Sequence, residues 1–420
     1  METKNPSEQL YNTRYGKNKK VEKVFNLVGM IINEYAPGEY KSDVFRKDYV
    51  WSIQTDATDC LNHIKEYKNL KSLVANEFTG NHLFAINGCS NLEKLSLEKF
   101  SSLYTRGILN PCKKLRELNI PSYTGDLSNL QDHKLVVLCA NKASHIPYCS
   151  TLKYLLCDRP SFFNDSIGRC AELEVLHNNT LNTDFSTLHM CTKLKKLSIS
   201  YYKGPIQPFT MFEQLRHLDI CRGIWKKCTS RVLDKLDKLI SLEVSEVFDY
   251  LPVNIKRLSI DKISDTKFMK SCTNLEGITI TNHITDITFL KNCTNLQYLN
   301  MTLPPRDLTP ISQLYNLRFI TLQRMFGDLK PLALLENLEY LDLEGYTGDT
   351  LEPLKNMKKI RVFRATTTYD VSYLQGCPNI KLYITDNIVC TNHRYMPYEF
   401  GDYRYIRNIN YNNINSILFY

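Results

Sequence analysis

Between Leu317 and Leu343 the apolar residues follow one phrase twice. An apolar residue is followed by two free positions, a second apolar residue, one free position and a third apolar residue. Leu317, Ile320 and Leu322 fill the first copy; Leu338, Leu341 and Leu343 fill the second, 21 residues later. Offsets 0, 3 and 5 match neither a helical stripe nor a long alternating strand. The last two alternate and predict a short strand with one buried face, while the first turns in from the preceding loop. A unit this small cannot bury its apolar side alone, so it must stack on copies of itself.

The first apolar position recurs at Leu70, Leu92, Leu115, Leu135, Leu152, Leu173, Leu194, Leu215, Leu239, Ile255, Leu275, Leu296, Leu317, Leu338, Ile360 and Ile380. These are sixteen units, with fifteen steps over 310 residues and a mean near 21. The exceptions are a step of 17 after Leu135, and steps of 24 and 16 around Leu239 that restore the register. Sixteen short parallel strands, about 4.8 Å apart, are predicted to line the inner face of a curved sheet.

The connecting segments are patterned as well. Asp stands eleven residues after the first apolar residue at Asp126, Asp184, Asp286, Asp307, Asp328 and Asp349. An Asp there can accept backbone N–H groups and cap a short helical or 3-10 turn on the outer side. Pro310, Pro331 and Pro353 follow closely and suit a first turn, where the missing N–H is not needed. Asn precedes the first apolar residue in eight units, Asn274, Asn295, Asn316 and Asn337 among them, and suits a turn back into the strand.

The ends depart from the phrase. Residues 1–20 are polar and predict a flexible arm. Val21, Val24, Phe25, Val28, Ile31 and Tyr35 follow a helical period that Pro37-Gly38 ends, and a second helix is predicted after Asp59. Residues 21–65 are expected to form an N-terminal helical cap, the repeats to occupy 66–388, and the Tyr- and Asn-rich residues 389–420 to form a C-terminal cap.

Composition narrows the function. The net charge of +9 over 420 residues is mild; it permits an acidic partner without demanding nucleic acid. The polar start carries no secretory signal and no apolar run is long enough to span a bilayer, so a cytoplasmic protein without membrane contact is expected. Of fourteen cysteines, Cys89, Cys112, Cys149, Cys170, Cys191, Cys272, Cys293 and Cys377 each stand three residues before a first apolar residue. A shared repeat position predicts buried thiols with a packing role rather than a metal site. Phosphate-binding glycine loops, HExxH and G-x-S-x-G are absent, so neither a cofactor nor an enzyme activity is predicted.

The phrase, the 21-residue period and the D-L-x-P-L segment resemble leucine-rich repeats of the internalin-like type. The C-T-N-L of Cys272 to Leu275 and Cys293 to Leu296 resembles the cysteine-bearing repeats of BspA-like proteins. The bias toward Asn, Ile, Lys and Tyr is similar to that of giant viruses of amoebae, which would place the protein in a host cytoplasm. The resemblance implies an α/β leucine-rich-repeat solenoid with a parallel inner sheet of about 16 strands, and a scaffold binding a protein partner. Many such repeats carry Asn eight residues after the first leucine. Here that position holds Phe78, Phe100, Tyr123, Leu181, Tyr202, Met325 or Tyr346, which predicts an apolar and aromatic column instead. The segment before the repeats, with Phe45-Arg46-Lys47 and Trp51, resembles the arrangement of F-box proteins, though the usual Leu-Pro opening is missing. That resemblance implies the alternative of a substrate adaptor docked on a ubiquitin-ligase adaptor.

Side chains at offsets 2, 4 and 6 point out from the inner face. Tyr298, Phe319 and Tyr340 form an aromatic row there, an anchor for a partner or simply mutual cross-strand packing. Asp342 and Glu344 lie beside Tyr340. His217, Asp219 and Glu243 form a second polar patch, with Arg257 and Asp261 beyond it. Val137, Cys139, Tyr154 and Leu156 make a third, apolar patch. At offset 1, Lys and Arg alternate with Glu93, Glu174, Glu276 and Glu339, which points away from a phosphate backbone.

Overall fold

The computed structural model describes residues 24–26, 29–34, 50–55, 59–79, 85–101, 107, 109–157, 165–178, 188–200, 202, 207–220, 232–246, 251–263, 266, 273–366, 370–377 and 380–385. The arm of residues 1–20 and the cap of residues 389–420 lie outside them. The chain divides into two compact units, residues 1–162 and 163–420.

The first unit contains β1 (Val24–Asn26), β2 (Gly29–Glu34), β3 (Ser52–Thr55), β4 (Ser72–Thr79), β5 (Lys94–Ser101), β6 (Glu117–Asn119), β7 (Val137–Cys139) and β8 (Tyr154–Cys157). From β2 to β8 each strand pairs in parallel with the next. The second unit contains β9 (Val175–Asn178), β10 (Lys196–Ile199), β11 (His217–Ile220), β12 (Ser241–Glu246), β13 (Arg257–Lys262) and β14 (Gly277–Ile280). It continues with β15 (Tyr298–Met301), β16 (Phe319–Leu322), β17 (Tyr340–Leu343), β18 (Val362–Thr366) and β19 (Lys381–Thr385), again all parallel in sequence order.

Strands β4 to β18 each open two residues after a predicted first apolar residue, and β19 opens one after. The pairing is in register, so equal offsets stack: Leu299 opposite Ile320, Ile320 opposite Leu341, Leu341 opposite Phe363. All four are fully buried, as are Leu275, Leu296 and Leu317 in the column of first leucines. Each coil is stapled to the one before it. The amides of Glu339 and Tyr340 both donate to the carbonyl of Arg318, at 2.9 and 3.0 Å, and the amides of Arg318 and Phe319 both donate to that of Gln297.

The outer connections carry 3-10 turns, such as Thr288–Asn292, Thr309–Ile311, Lys330–Leu334 and Glu352–Asn356, and short α-helical turns such as Asp165–Gly168. Asp126, Asp286, Asp307 and Asp328 each accept the amide two residues on, at 2.7–2.9 Å. After Asp349 the hydroxyl of Thr350 does this instead, and Asp184 lies outside the described residues. Replacing Asp328 with alanine is expected to lower the stability of the second unit by about 1 kcal/mol, measured as a shifted denaturation midpoint.

The asparagines do more than turn the chain. The amide of Asn274 donates to the carbonyl of Val253, Asn295 to Thr273, Asn316 to Thr294 and Asn337 to Tyr315, at 2.8–3.2 Å. An asparagine ladder therefore exists, one residue before the first leucine rather than eight after it. The offset-8 position is the apolar column expected: Phe100, Tyr123, Tyr202, Met325 and Tyr346 are buried, and the rings of Phe100 and Tyr123 lie 5.2 Å apart. Cys89, Cys112, Cys149, Cys170, Cys191, Cys293 and Cys377 at the repeat position, with Cys139 and Cys157, are buried free thiols. Burial pushes Cys89 and Cys191 up to about 12, the neighbouring thiol in each case adding to it, and the thiols of Cys149 and Cys191 reach carbonyls of the preceding coil at 3.5 Å. Cys272 lies outside the described residues.

The N-terminal helix is a correction. Val24–Asn26 and Gly29–Glu34 are strands paired antiparallel, with Phe25 opposite Met30. The segment is rich in β-branched residues, and β3 offers it an edge; ladder pairing overrides the helical period. β3 itself is a repeat that the phrase search passes over. Val50 and Ile53 are buried like first and second apolar residues, but Thr55 takes the third place. The second expected helix is a 3-10 helix, Asp59–Glu66, burying Leu61 and Ile64.

Candidate partner-binding face

Register pairing places the outward offsets of successive strands side by side. In the second unit the offset-2 row runs Lys196, His217, Ser241, Arg257, Gly277, Tyr298, Phe319, Tyr340, Val362 along β10 to β18. The offset-4 row runs Ser198, Asp219, Glu243, Ser259, Thr279, Asn300, Thr321, Asp342, Arg364 over the same strands.

These rows change character along the unit. From β14 to β17 the offset-2 row is closed by its own side chains, while Thr281, Asn300, Thr302 and Gln323 at offsets 4 and 6 are half-buried and uncharged. Tyr298, Phe319 and Tyr340 are 6%, 1% and 4% exposed, and Thr279, Thr321, Asp342 and Glu344 are buried. Aromatic rings at one offset on strands about 4.8 Å apart cover one another. Of the two readings of this row, partner anchor or mutual cross-strand packing, the geometry is the second: the row is packed, with the Arg318 guanidinium 5.5 Å from the centre of the Phe319 ring. Asp342 and Glu344 are likewise not a surface pair. The Arg364 guanidinium reaches the Glu344 carboxylate at 3.1 Å and that of Asp342 at 3.7 Å, and the Glu344 amide donates to Asp342 at 3.0 Å. Burial raises Asp342 to about 6 against the pull of Arg364, and raises Glu344 against Arg364 and Arg324.

From β10 to β13 the face is open. Lys196, His217, Asp219, Ser241, Glu243, Arg257 and Asp261 are all half-buried, and Arg216 beside them is exposed. Asp219 and Glu243 are direct cross-strand partners, and the Ser198 hydroxyl donates to Asp219 at 2.7 Å. Burial lowers Lys196 to about 8, with Asp219 and Glu243 opposing. Burial, then Lys196, Arg257 and Arg216, push His217 down to about 4, so it is neutral at pH 7. Of the expected patch, His217, Asp219 and Glu243 do come together. Lys196 and Arg364 were not singled out in the sequence; reading offsets 2 and 4 down every unit would have found both.

In the first unit, Val137, Cys139 and Leu156 of the apolar patch are buried and Tyr154 is half-buried. One Ser, His and Asp set also occurs there. The Ser144 hydroxyl lies 3.3 Å from Nδ1 of His145, and the Asp126 carboxylate 4.0 Å from that same nitrogen. A hydrolytic relay needs the acid and the nucleophile on opposite ring nitrogens. At the strand edge, the offset-1 cations pair with acids of adjacent coils: Lys195 with Glu174, Lys256 with Glu276, Arg318 with Glu339.

No family model matches the chain, and no curated protein matches it. Solved structures do. An internalin (inlF) of Listeria monocytogenes is 22% identical over 78% of this chain and 90% of its own, with a TM-score of 0.41. A leucine-rich-repeat protein of Leptospira interrogans is 15% identical over 80% and 90%, with a TM-score of 0.48. TLR13, in a complex with ssRNA13, is 14% identical over 82% of this chain and 59% of its own, with a TM-score of 0.51. The fold is that of leucine-rich-repeat proteins. In those terms β4 to β19 are the strands of sixteen leucine-rich repeats, and β10 to β13 carry a half-buried charged patch on the repeat face of the second unit. No helix among the described residues is long and apolar enough to cross a membrane.

Proposed function

We propose that the chain is a non-catalytic protein-interaction scaffold whose partner seats on the sheet face of the second unit at β10 to β13. What supports the site is the contrast in charge along one face. Seven half-buried polar side chains, five of them charged, stand on β10 to β13, while along β14 to β17 the offset-2 aromatics pack together and the half-buried outward side chains, Thr281, Asn300, Thr302 and Gln323, are uncharged. A face that exposes mixed charge on a rigid ladder is suited to orient a protein partner. The ubiquitin-ligase adaptor alternative needs docking helices between residues 21 and 65, where the described chain forms β1 to β3 and a 3-10 helix.

Ser241 is half-buried in the middle of the patch, between His217 and Arg257 in its row. Replacing it with tryptophan should obstruct docking without entering the core. Affinity capture with wild type and Ser241→Trp, followed by cross-linking mass spectrometry, is expected to show a partner cross-linked to Lys195, Lys196 or Lys256. Recovery of that partner should fall roughly tenfold in the variant. A partner recovered equally by both proteins would place the contact elsewhere.

A further inference from the structure

We propose that the partner presents an acidic peptide segment, whose carboxylates seat at the corner formed by Arg216, Lys196 and Arg257 around His217. This rests on docking at β10 to β13. Arg216 is exposed and, among the described residues, has no carboxylate within ion-pair distance. Its neighbours at the same offset differ, because Lys195 and Lys256 are held by Glu174 and Glu276. The fields of Lys196, Arg257 and Arg216 converge on His217, whose uncharged ring offers a hydrogen-bonding nitrogen without further positive charge. Under Arg257 on the same strand and face, Ser259 is 2% exposed and its hydroxyl makes no hydrogen bond among the described residues. A buried hydroxyl without a partner is a donor awaiting a bound group.

The second row decides the class of polyanion. Asp219 and Glu243 lie two residues along their strands from the first row, about 6.7 Å away, and Asp261 lies two further on. A phosphodiester chain laid over the corner would meet these three carboxylates with acceptors only. A peptide brings amide N–H groups and basic or hydroxyl side chains to them while its acids meet the cations. Charge of both signs in separate rows therefore matches an acidic peptide better than a nucleic acid.

Fluorescence anisotropy with the full chain tests this. The probe is a short labelled peptide of alternating Glu and Ser, compared with its Lys counterpart and with oligothymidylate of matched charge. The acidic peptide should bind, and Arg216→Glu should weaken it roughly tenfold, chiefly through slower association. Lys330→Glu, the same charge change on an outer 3-10 turn, should leave binding nearly unaltered. Absence of peptide binding overturns the proposal. So does equal loss in both variants, or oligothymidylate binding more tightly than the peptide with the same sensitivity to Arg216→Glu. If a captured partner responds to Ser241→Trp and ignores Arg216→Glu, the acidic-segment inference falls and the docking face stands. If it ignores Ser241→Trp, the docking face itself falls.

Discussion

Replacing Leu317 with alanine is expected to destabilise the second unit by roughly 2–5 kcal/mol, the range for truncating a fully buried leucine. Leu317 is 0% exposed and stands between Leu296 and Leu338, both buried, in the column of first leucines. Its amide closes the turn onto the carbonyl of Leu314 at 2.9 Å, so side-chain packing and chain reversal meet in one residue. A neighbouring coil cannot move in to fill the space, because its own backbone is pinned by paired amides to the coil before it. Tyr315, two residues earlier and 60% exposed, supplies the comparison. Tyr315→Ala should change stability by about 0.5 kcal/mol or less. Urea denaturation of the two variants separates them; similar midpoints would mean that the leucine column does not carry the stacking.

Much of this architecture is legible because the repeat repeats. Leu275, Leu296, Leu317 and Leu338 report one another's environment, so a single phrase locates sixteen strands. The same logic fails at the ends. Val50-x-x-Ile53 lacks an apolar third residue and passes unnoticed, although its backbone pairs with β4 like any other coil. The stretch before it has a helical period, but an available sheet edge decides its conformation. The asparagine ladder is visible as a column of Asn, yet its partner is a backbone carbonyl of the preceding coil, which no side-chain pattern reports. The face is the harder case. Sequence offsets tell which side chains leave the core, not whether they reach water. Tyr298, Phe319 and Tyr340 occupy outward positions and bury one another. His217 stands at the same offset as those rings and Asp219 and Glu243 at offset 4; they stay half-open, because their row neighbours include Ser241, Ser198 and Ser259 rather than large rings. Exposure depends on the sizes of neighbours across strands, which one unit alone does not state.

Replacing Arg364 with methionine is expected to cost roughly 3–5 kcal/mol near pH 7, because it leaves two buried carboxylates without the cation they share. Asp342 is 2% exposed and Glu344 5% exposed, so water cannot take over. The pH dependence tells this apart from lost packing. The folded Asp342 holds its proton up to about 6, whereas an unfolded aspartate loses it near 3.9. Between those values the folded chain binds the extra proton, so stability falls as pH rises through the window. In the wild type this amounts to roughly 3 kcal/mol between about pH 4 and pH 6. Asp342→Asn should remove that slope and be comparatively more stable at pH 7 than at pH 4. Removing Arg364 pushes both carboxyl groups further upward, so the penalty of Arg364→Met should shrink as the pH drops and the acids take up protons. Denaturation midpoints of wild type and both variants, measured across that range, decide it. A penalty that stays constant with pH would assign Arg364 a packing role and leave the carboxylates indifferent to its charge.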